Sequence, residues 1–231
     1  MRQYFAMAKP QNQPRFEQNF PTRLPQQTRG RGAGYNPAAR FERHHGQYVD
    51  DGWESLAELP RLLTTVTLET PRQIITTNQS PDVGFDRSIN PYRGCEHGCI
   101  YCYARPSHAH MGLSPGLDFE SKLFAKPEAA ERLRAELSAP GYRPRTIMIG
   151  VNTDAYQPIE RRYRITRSLL EVMLEFRHPV GLITKSALIT RDIDILKQLA
   201  AQGLVKAAVS LTTLDPPPAR ALGPAPVGRV V

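Results

Sequence analysis

From residue 127 to residue 211 the chain alternates two kinds of apolar stretch, and that alternation limits the fold more than any other feature. Pro127 followed by Glu128 is a helix start, Ala130, Leu133 and Leu137 form an apolar stripe, and Pro140-Gly141 ends it. A buried strand is predicted over 146–151, then a second helix over about 165–176 with Leu169, Val172, Met173 and Phe176 on one face, then a strand over 180–184. Thr190 is placed to cap a third helix lined by Ile193, Leu196 and Leu199. Gly203 suits its left-handed exit, and a last strand is predicted over 205–211. Strands separated by helices at this spacing join through right-handed crossovers into a parallel sheet, which makes the chain α/β.

In such folds chemistry collects at the carboxyl ends of the strands. Asn152, Thr153 and Asp154 follow one predicted strand, Lys185 follows the next, and Ser210 lies near the end of the last. Singly, Asp154 reads as a turn cap, Lys185 as a surface charge and Ser210 as an ordinary small strand residue; their common position points to a site. A first strand near 88–92, weakened by Pro91, would open onto the same face and lead to Cys95, Cys99 and Cys102, the chain's three cysteines. Thiolate is the ligand form of cysteine and suits zinc or an iron–sulfur cluster, whereas disulfide pairing would leave one thiol over. A four-iron cubane wants four ligands, so three cysteines leave one iron open to a group that is not protein. Zinc completed by His97, His108 or His110 is the other metal reading. An electron-transfer ferredoxin would need a fourth cysteine.

Residues 1–48 hold eight cations against two carboxylates, most of the net charge of +8, and show no sustained hydrophobic period. A disordered basic arm is expected there, because so little apolar surface cannot offset ordering entropy. Its Arg29-Gly30-Arg31-Gly32 stretch could touch nucleic acid or stay solvated. Residues 49–87 read as an N-terminal adornment: Trp53, Leu56 and Leu59 share a helical face with Trp53 as packing anchor, and strands are predicted over 64–69 and 73–77. Arg161, Arg162 and Arg164 form a basic cluster at an exposed helix entrance. Pro216, Pro217, Pro218, Pro224 and Pro226 mark 216–231 as a Pro-rich coil. No apolar run approaches the roughly 20 residues that span a bilayer. The first ten residues lack the apolar centre of a secretory signal, and unpaired thiols suit a reducing compartment, so a cytoplasmic location is expected.

The spacing CxxxCxxC, with Tyr101 immediately before the last cysteine, resembles the cluster motif of the radical S-adenosylmethionine (SAM) superfamily. The longer run Arg93-Gly94-Cys95-Glu96-His97-Gly98-Cys99-Ile100-Tyr101-Cys102-Tyr103-Ala104-Arg105 is similar, more narrowly, to the spore photoproduct lyase-like branch. Likeness continues through Asn152-Thr153-Asp154-Ala155-Tyr156-Gln157-Pro158-Ile159-Glu160, Ile183-Thr184-Lys185-Ser186 and Val209-Ser210, over about residues 85–215.

The resemblance implies a [4Fe-4S] cluster on Cys95, Cys99 and Cys102, with SAM chelating the open iron. It also implies reductive SAM cleavage driven by a reductant such as a flavodoxin or ferredoxin, followed by radical chemistry on an unknown substrate. Tyr101 would lie beside the adenine, Thr153 and Asp154 would contact the amino acid or ribose, and Lys185 and Ser210 would hold the carboxylate. The implied architecture is a partial parallel (β/α) barrel over 88–215, about four of the six usual units. Val151 stands where the photoproduct lyases carry a hydrogen-donating cysteine, which argues against DNA photoproduct repair. The short, Pro-rich remainder reads as a truncated or frame-shifted product. The alternative is a non-catalytic iron–sulfur or zinc module with a nucleic-acid-contacting arm.

Overall fold

The structure is a computed structural model that describes residues 31–41 and 62–222. In chain order the strands are β1 (Thr65–Leu68), β2 (Thr76–Thr77), β3 (Arg87–Ile89), β4 (Tyr92–Arg93), β5 (Lys122–Ala125), β6 (Ile147–Ile149), β7 (Val180–Thr184) and β8 (Val205–Val209). The α-helices are α1 (Leu117–Ser121), α2 (Ala129–Leu137), α3 (Glu160–Tyr163), α4 (Ile165–Glu175), α5 (Ile193–Ala201) and α6 (Pro216–Leu222).

The apolar stretches pair as their alternation requires. β3, β6, β7 and β8 lie side by side and parallel, with Arg87, Ile147, Val180 and Val205 in one row, so their carboxyl ends point the same way. β2 adds an antiparallel strand beside β3. In a second, three-stranded sheet β5 lies between parallel β1 and antiparallel β4. The stripes of α2, α4 and α5 bury Leu133, Leu169, Leu170, Met173 and Leu199 against Ile147, Ile149 and Leu182. Each such side chain contributes roughly 1.5–3 kcal/mol of transfer free energy. This is the partial β/α arrangement expected; among the described residues the five-stranded sheet ends at β2 and β8 and does not close. Among the same residues no helix is long and apolar enough to cross a membrane.

Several expectations are corrected. The strand predicted over 88–92 is split: β3 stops at Ile89, Pro91 has no N–H to donate, and Tyr92–Arg93 crosses to pair with β5. Thr190 does not cap a helix; its hydroxyl donates to the Ala187 carbonyl at 2.8 Å. Ser186 is the cap, accepting from the Leu188 amide at 3.2 Å, and a 3-10 turn (Ala187–Asp192) precedes α5. Gly203 takes the left-handed exit with φ of 69°. The coil expected from Pro216 begins instead as α6, because its three prolines occupy a first turn whose amides have no helical partner in any case. Within the arm expected to be disordered, residues 31–41 have a defined placement, set by polar bonds: Asn36 Nδ2 donates to the Asp118 carboxylate and Asn36 Oδ1 accepts from the Asp118 amide. Trp53, Leu56 and Leu59 lie outside the described residues. α1, β5 and a 3-10 helix over Arg105–Met111 were not anticipated, being too short to show a period.

His178, in the turn between α4 and β7, joins that turn to Tyr142 as a neutral imidazole. Its Nδ1 donates to the Pro179 carbonyl at 3.0 Å and its Nε2 accepts from the Tyr142 hydroxyl at 2.8 Å, a tautomer assigned from its partners. Burial lowers its pKa below the ordinary value; the Pro179 carbonyl opposes and the Arg87 charge assists. The unfolded chain therefore takes up the proton first. This contribution is complete above about pH 6.5 and is lost as pH falls through the unfolded value toward the lower folded one. Melting temperatures should drop on acidification across that range, with a shallower slope in His178→Gln. Leu133→Ala should cost about 2–5 kcal/mol in denaturant titration by opening a cavity in the main core.

Candidate functional site

Residues 94–104 form no helix or strand, so their backbone groups need partners from elsewhere. The Cys95 amide donates to the Phe119 carbonyl at 2.9 Å. The fully buried side chain of Gln157 accepts from the Glu96 amide at 3.1 Å and donates to the Gly94 carbonyl at 3.0 Å. Further along, Arg105 donates through Nη2 and Nε to the Cys99 carbonyl at 2.9 and 3.3 Å. The same guanidinium pairs with the buried Glu120 carboxylate. The Ile100 amide donates to the carbonyl of Leu222, the last residue of α6, at 3.1 Å. So held, the loop buries Cys95 and Cys99 and half-buries Cys102.

The strand ends supply the facing wall. After β6, the Asn90 side chain accepts from the amides of Asn152 at 2.9 Å and Thr153 at 3.4 Å. Thr153, 2% exposed, donates its hydroxyl to the Tyr92 carbonyl at 2.9 Å. Both oxygens of Asp154 are engaged: Oδ1 accepts from the Tyr156 amide at 2.8 Å and the Thr184 hydroxyl at 2.6 Å, and Oδ2 from the Lys185 amide at 2.8 Å. His97, 5% exposed, brings Nε2 to 3.4 Å from Oδ2 without the alignment of a hydrogen bond. Burial by itself would raise the Asp154 pKa, but His97, Thr184 and the Lys185 amide outweigh it and hold the carboxyl below its ordinary range. Lys185 Nζ donates to the Tyr101 hydroxyl at 2.8 Å and to Ser210 Oγ at 3.2 Å, and stands 4.9 Å from the Tyr101 ring centre. Burial works against the Lys185 charge; Tyr101, Cys99 and Asp154 reverse that, and its pKa rises.

Cys95, Cys99, Cys102, Tyr101, Thr153, Asp154, Lys185 and Ser210 thus come from separate segments to line one cavity of about 210 Å³, shared with His97 and Asn152. A side pocket of about 80 Å³ runs from Tyr101, Lys185 and Ser210 to Ala219 of α6. A larger cleft of about 750 Å³ opens near the amino ends of the strands, around Arg145, Gly203 and Lys206, and contains none of these groups. Burial and then the nearby Asp154 push the Cys95 thiol up; burial does the same to Cys99, opposed by Lys185 and Tyr101. Ionising these thiols is therefore the part of metal binding that releases protons.

Among the described residues no three His, Cys, Asp or Glu side chains converge as the ligands of a single ion. The histidines offered for zinc have other neighbours: His97 faces Asp154, His108 bonds the Lys122 carbonyl at 2.9 Å, and His110 packs on Phe41. The donor set fits an iron–sulfur cluster with SAM. Three thiols on one loop border the same cavity as an ammonium and a hydroxyl suited to a carboxylate. Sequence reasoning missed Gln157, Arg105 and Glu120. The first two lie inside motifs already singled out, but their bonds to the loop backbone depend on the fold; Glu120 lies in a stretch with no periodic signal.

A parallel sheet whose strand ends and preceding cysteine loop frame one cavity defines an α/β protein of the partial β/α kind. The model of the Radical SAM superfamily matches residues 89–229, and the chain belongs to that superfamily, whose members typically use a [4Fe-4S] cluster and SAM. The chain is similar to an uncharacterized protein of Mycobacterium tuberculosis (strain ATCC 25618 / H37Rv), 39% identical over 132 residues, covering 57% of this chain and 39% of that one. An uncharacterized protein of Methanocaldococcus jannaschii is 31% identical over 113 residues, covering 49% of this chain and 40% of its own. One from Acidianus two-tailed virus is 25% identical over 132 residues, covering 55% and 42%. The chain therefore spans about two-fifths of the length of these curated relatives. No solved structure matches it.

Gln157→Leu tests how the loop is held. It would leave the Gly94 carbonyl and the Glu96 amide without partners, at about 1–3 kcal/mol for each buried group. Chemical denaturation should show the loss, and amide exchange should quicken in residues 94–102.

Proposed function

We propose that this chain binds a [4Fe-4S] cluster through Cys95, Cys99 and Cys102 and takes SAM at the open iron, as a radical SAM enzyme of the photoproduct-lyase-like branch. The observation that carries the reading is that the three cysteines and the five strand-end or loop residues line one cavity. When bound, the cluster and SAM would supply one-electron reductive cleavage of the sulfonium C–S bond, with the electron from a flavodoxin- or ferredoxin-type donor in a reducing, cytoplasmic setting.

The chain's own residues bind and orient. Lys185 and Ser210, already 3.2 Å apart, offer a cation and a hydroxyl to the SAM carboxylate. Tyr101, beneath the Lys185 ammonium, offers its ring face to the adenine. Thr153 and Asp154 form the wall on the amino-acid or ribose side. Asp154 acts there by fixing the Lys185 backbone and facing His97, since both its oxygens already accept hydrogen bonds. The substrate class is open, and the activity of the longer relatives belongs to the same proposal.

Anaerobic reconstitution with iron and sulfide should give a brown protein that releases deoxyadenosine when reduced with SAM. Alanine at any of the three cysteines should abolish the cluster absorbance. Lys185→Ala should keep the cluster and weaken SAM binding on the order of tenfold or more, the worth of a charged hydrogen bond. A colourless protein holding one tight zinc would overturn the reading.

A further inference from the structure

Residues 31–37 run along the cysteine loop, lying directly against it at Gly32 and reaching it at two further points through Glu120 and Thr64. Gly32 lies against the loop so closely that a Cβ there would stand 1.8 Å from the Gly98 carbonyl oxygen; only glycine fits without displacement. Its amide donates to Glu120 Oε2 at 2.9 Å, and the Ala33 amide to Oε1 at 2.9 Å. That carboxylate also receives Arg105, the side chain that holds the Cys99 carbonyl. The third link runs from Arg31 Nη2 to the Thr64 hydroxyl at 2.8 Å, and from that hydroxyl to the Glu96 carboxylate inside the loop. The far end of the segment is fastened too, by the Leu117 amide on the Tyr35 carbonyl at 3.2 Å and by the Asn36 pair on Asp118.

Glu120 is 0% exposed. A buried carboxylate is tolerated only where donors surround it, so the strap amides and Arg105 are mutually required. Losing the strap would leave Glu120 short of two donors and loosen the guanidinium that fixes the Cys99 backbone.

We propose that Glu120 and the strap of residues 31–37 are positioning elements for the metal group: their closure over residues 94–105 sets the direction of the Cys99 thiolate and screens the loop from water. This rests on the reading of the cysteines as cluster ligands. Groups one bond removed from metal ligands commonly change affinity 10–100-fold when altered.

The test uses the full chain with Gly32→Ala, Glu120→Gln and Leu133→Ala, the last a destabilising change in the remote core. Each is reconstituted anaerobically beside the wild type. Three readouts are taken: decay of cluster absorbance under chelator, the electron paramagnetic resonance spectrum of the reduced protein, and amide exchange of residues 96–105 in the cluster-free chain. Gly32→Ala and Glu120→Gln should lose the cluster roughly tenfold faster or more, with altered spectra and faster loop exchange. Leu133→Ala should keep the wild-type spectrum and loop protection. Gly32→Ala removes no buried charge, so it carries the test if Glu120→Gln fails to fold. Wild-type lifetime and spectrum in Gly32→Ala, or equal cluster loss in Leu133→Ala, overturns this proposal alone. A wild-type chain that takes up no cluster overturns the functional reading and this one with it.

Discussion

Carrying three cysteines on one irregular loop deprives that loop of any ladder for its own amides and carbonyls, and much of the surrounding structure answers that deficit. Gln157 meets the backbone on either side of Cys95, and Arg105 meets the carbonyl of Cys99. In a low-dielectric interior such bonds strengthen one another, and any one left unmade is costly. Asp154 extends the same logic across the cavity. It faces His97 of the loop on one side and receives Thr184 and the Lys185 amide on the other, so the cysteine loop and the end of β7 are referred to a single carboxylate.

What the sequence revealed depended on how each part is held. β7 matches its expectation at both ends and α4 differs by one residue, because each buries an apolar face whose period shows in the residue order. β4, β5 and α1 are too short for a period to register. The strap escaped notice for a different reason: it is fixed by two amides on a carboxylate 87 and 88 residues away, and a hydrogen bond of that range leaves no mark in local composition. At the cavity, Asn152, Thr153, Asp154, Lys185, Ser210 and the cysteines stand where strand ends and spacing put them, whereas Tyr101 came from the family resemblance and the partners that orient these residues were not foreseen. Proline misled through number; three in a row stop a helix in its middle but not at its start.

The basic character of the N-terminal region also changes meaning. Arg31 belonged to a stretch with the composition of a nucleic-acid arm, yet its guanidinium bonds Thr64 and the Glu120 carbonyl. Part of that positive charge therefore serves internal fastening. Arg161, Arg162 and Arg164, by contrast, are exposed, as an entrance to a helix would have them.

The carbonyl of Leu222 received by the Ile100 amide has one more consequence. A seven-residue helix is too short to persist on its own in water, and its final carbonyls are the groups that most need a donor. Here the cysteine loop supplies one such donor. Loop and helix therefore support each other through that bond, and a change in the shape of the loop should register as lost helicity in a segment that carries no cysteine.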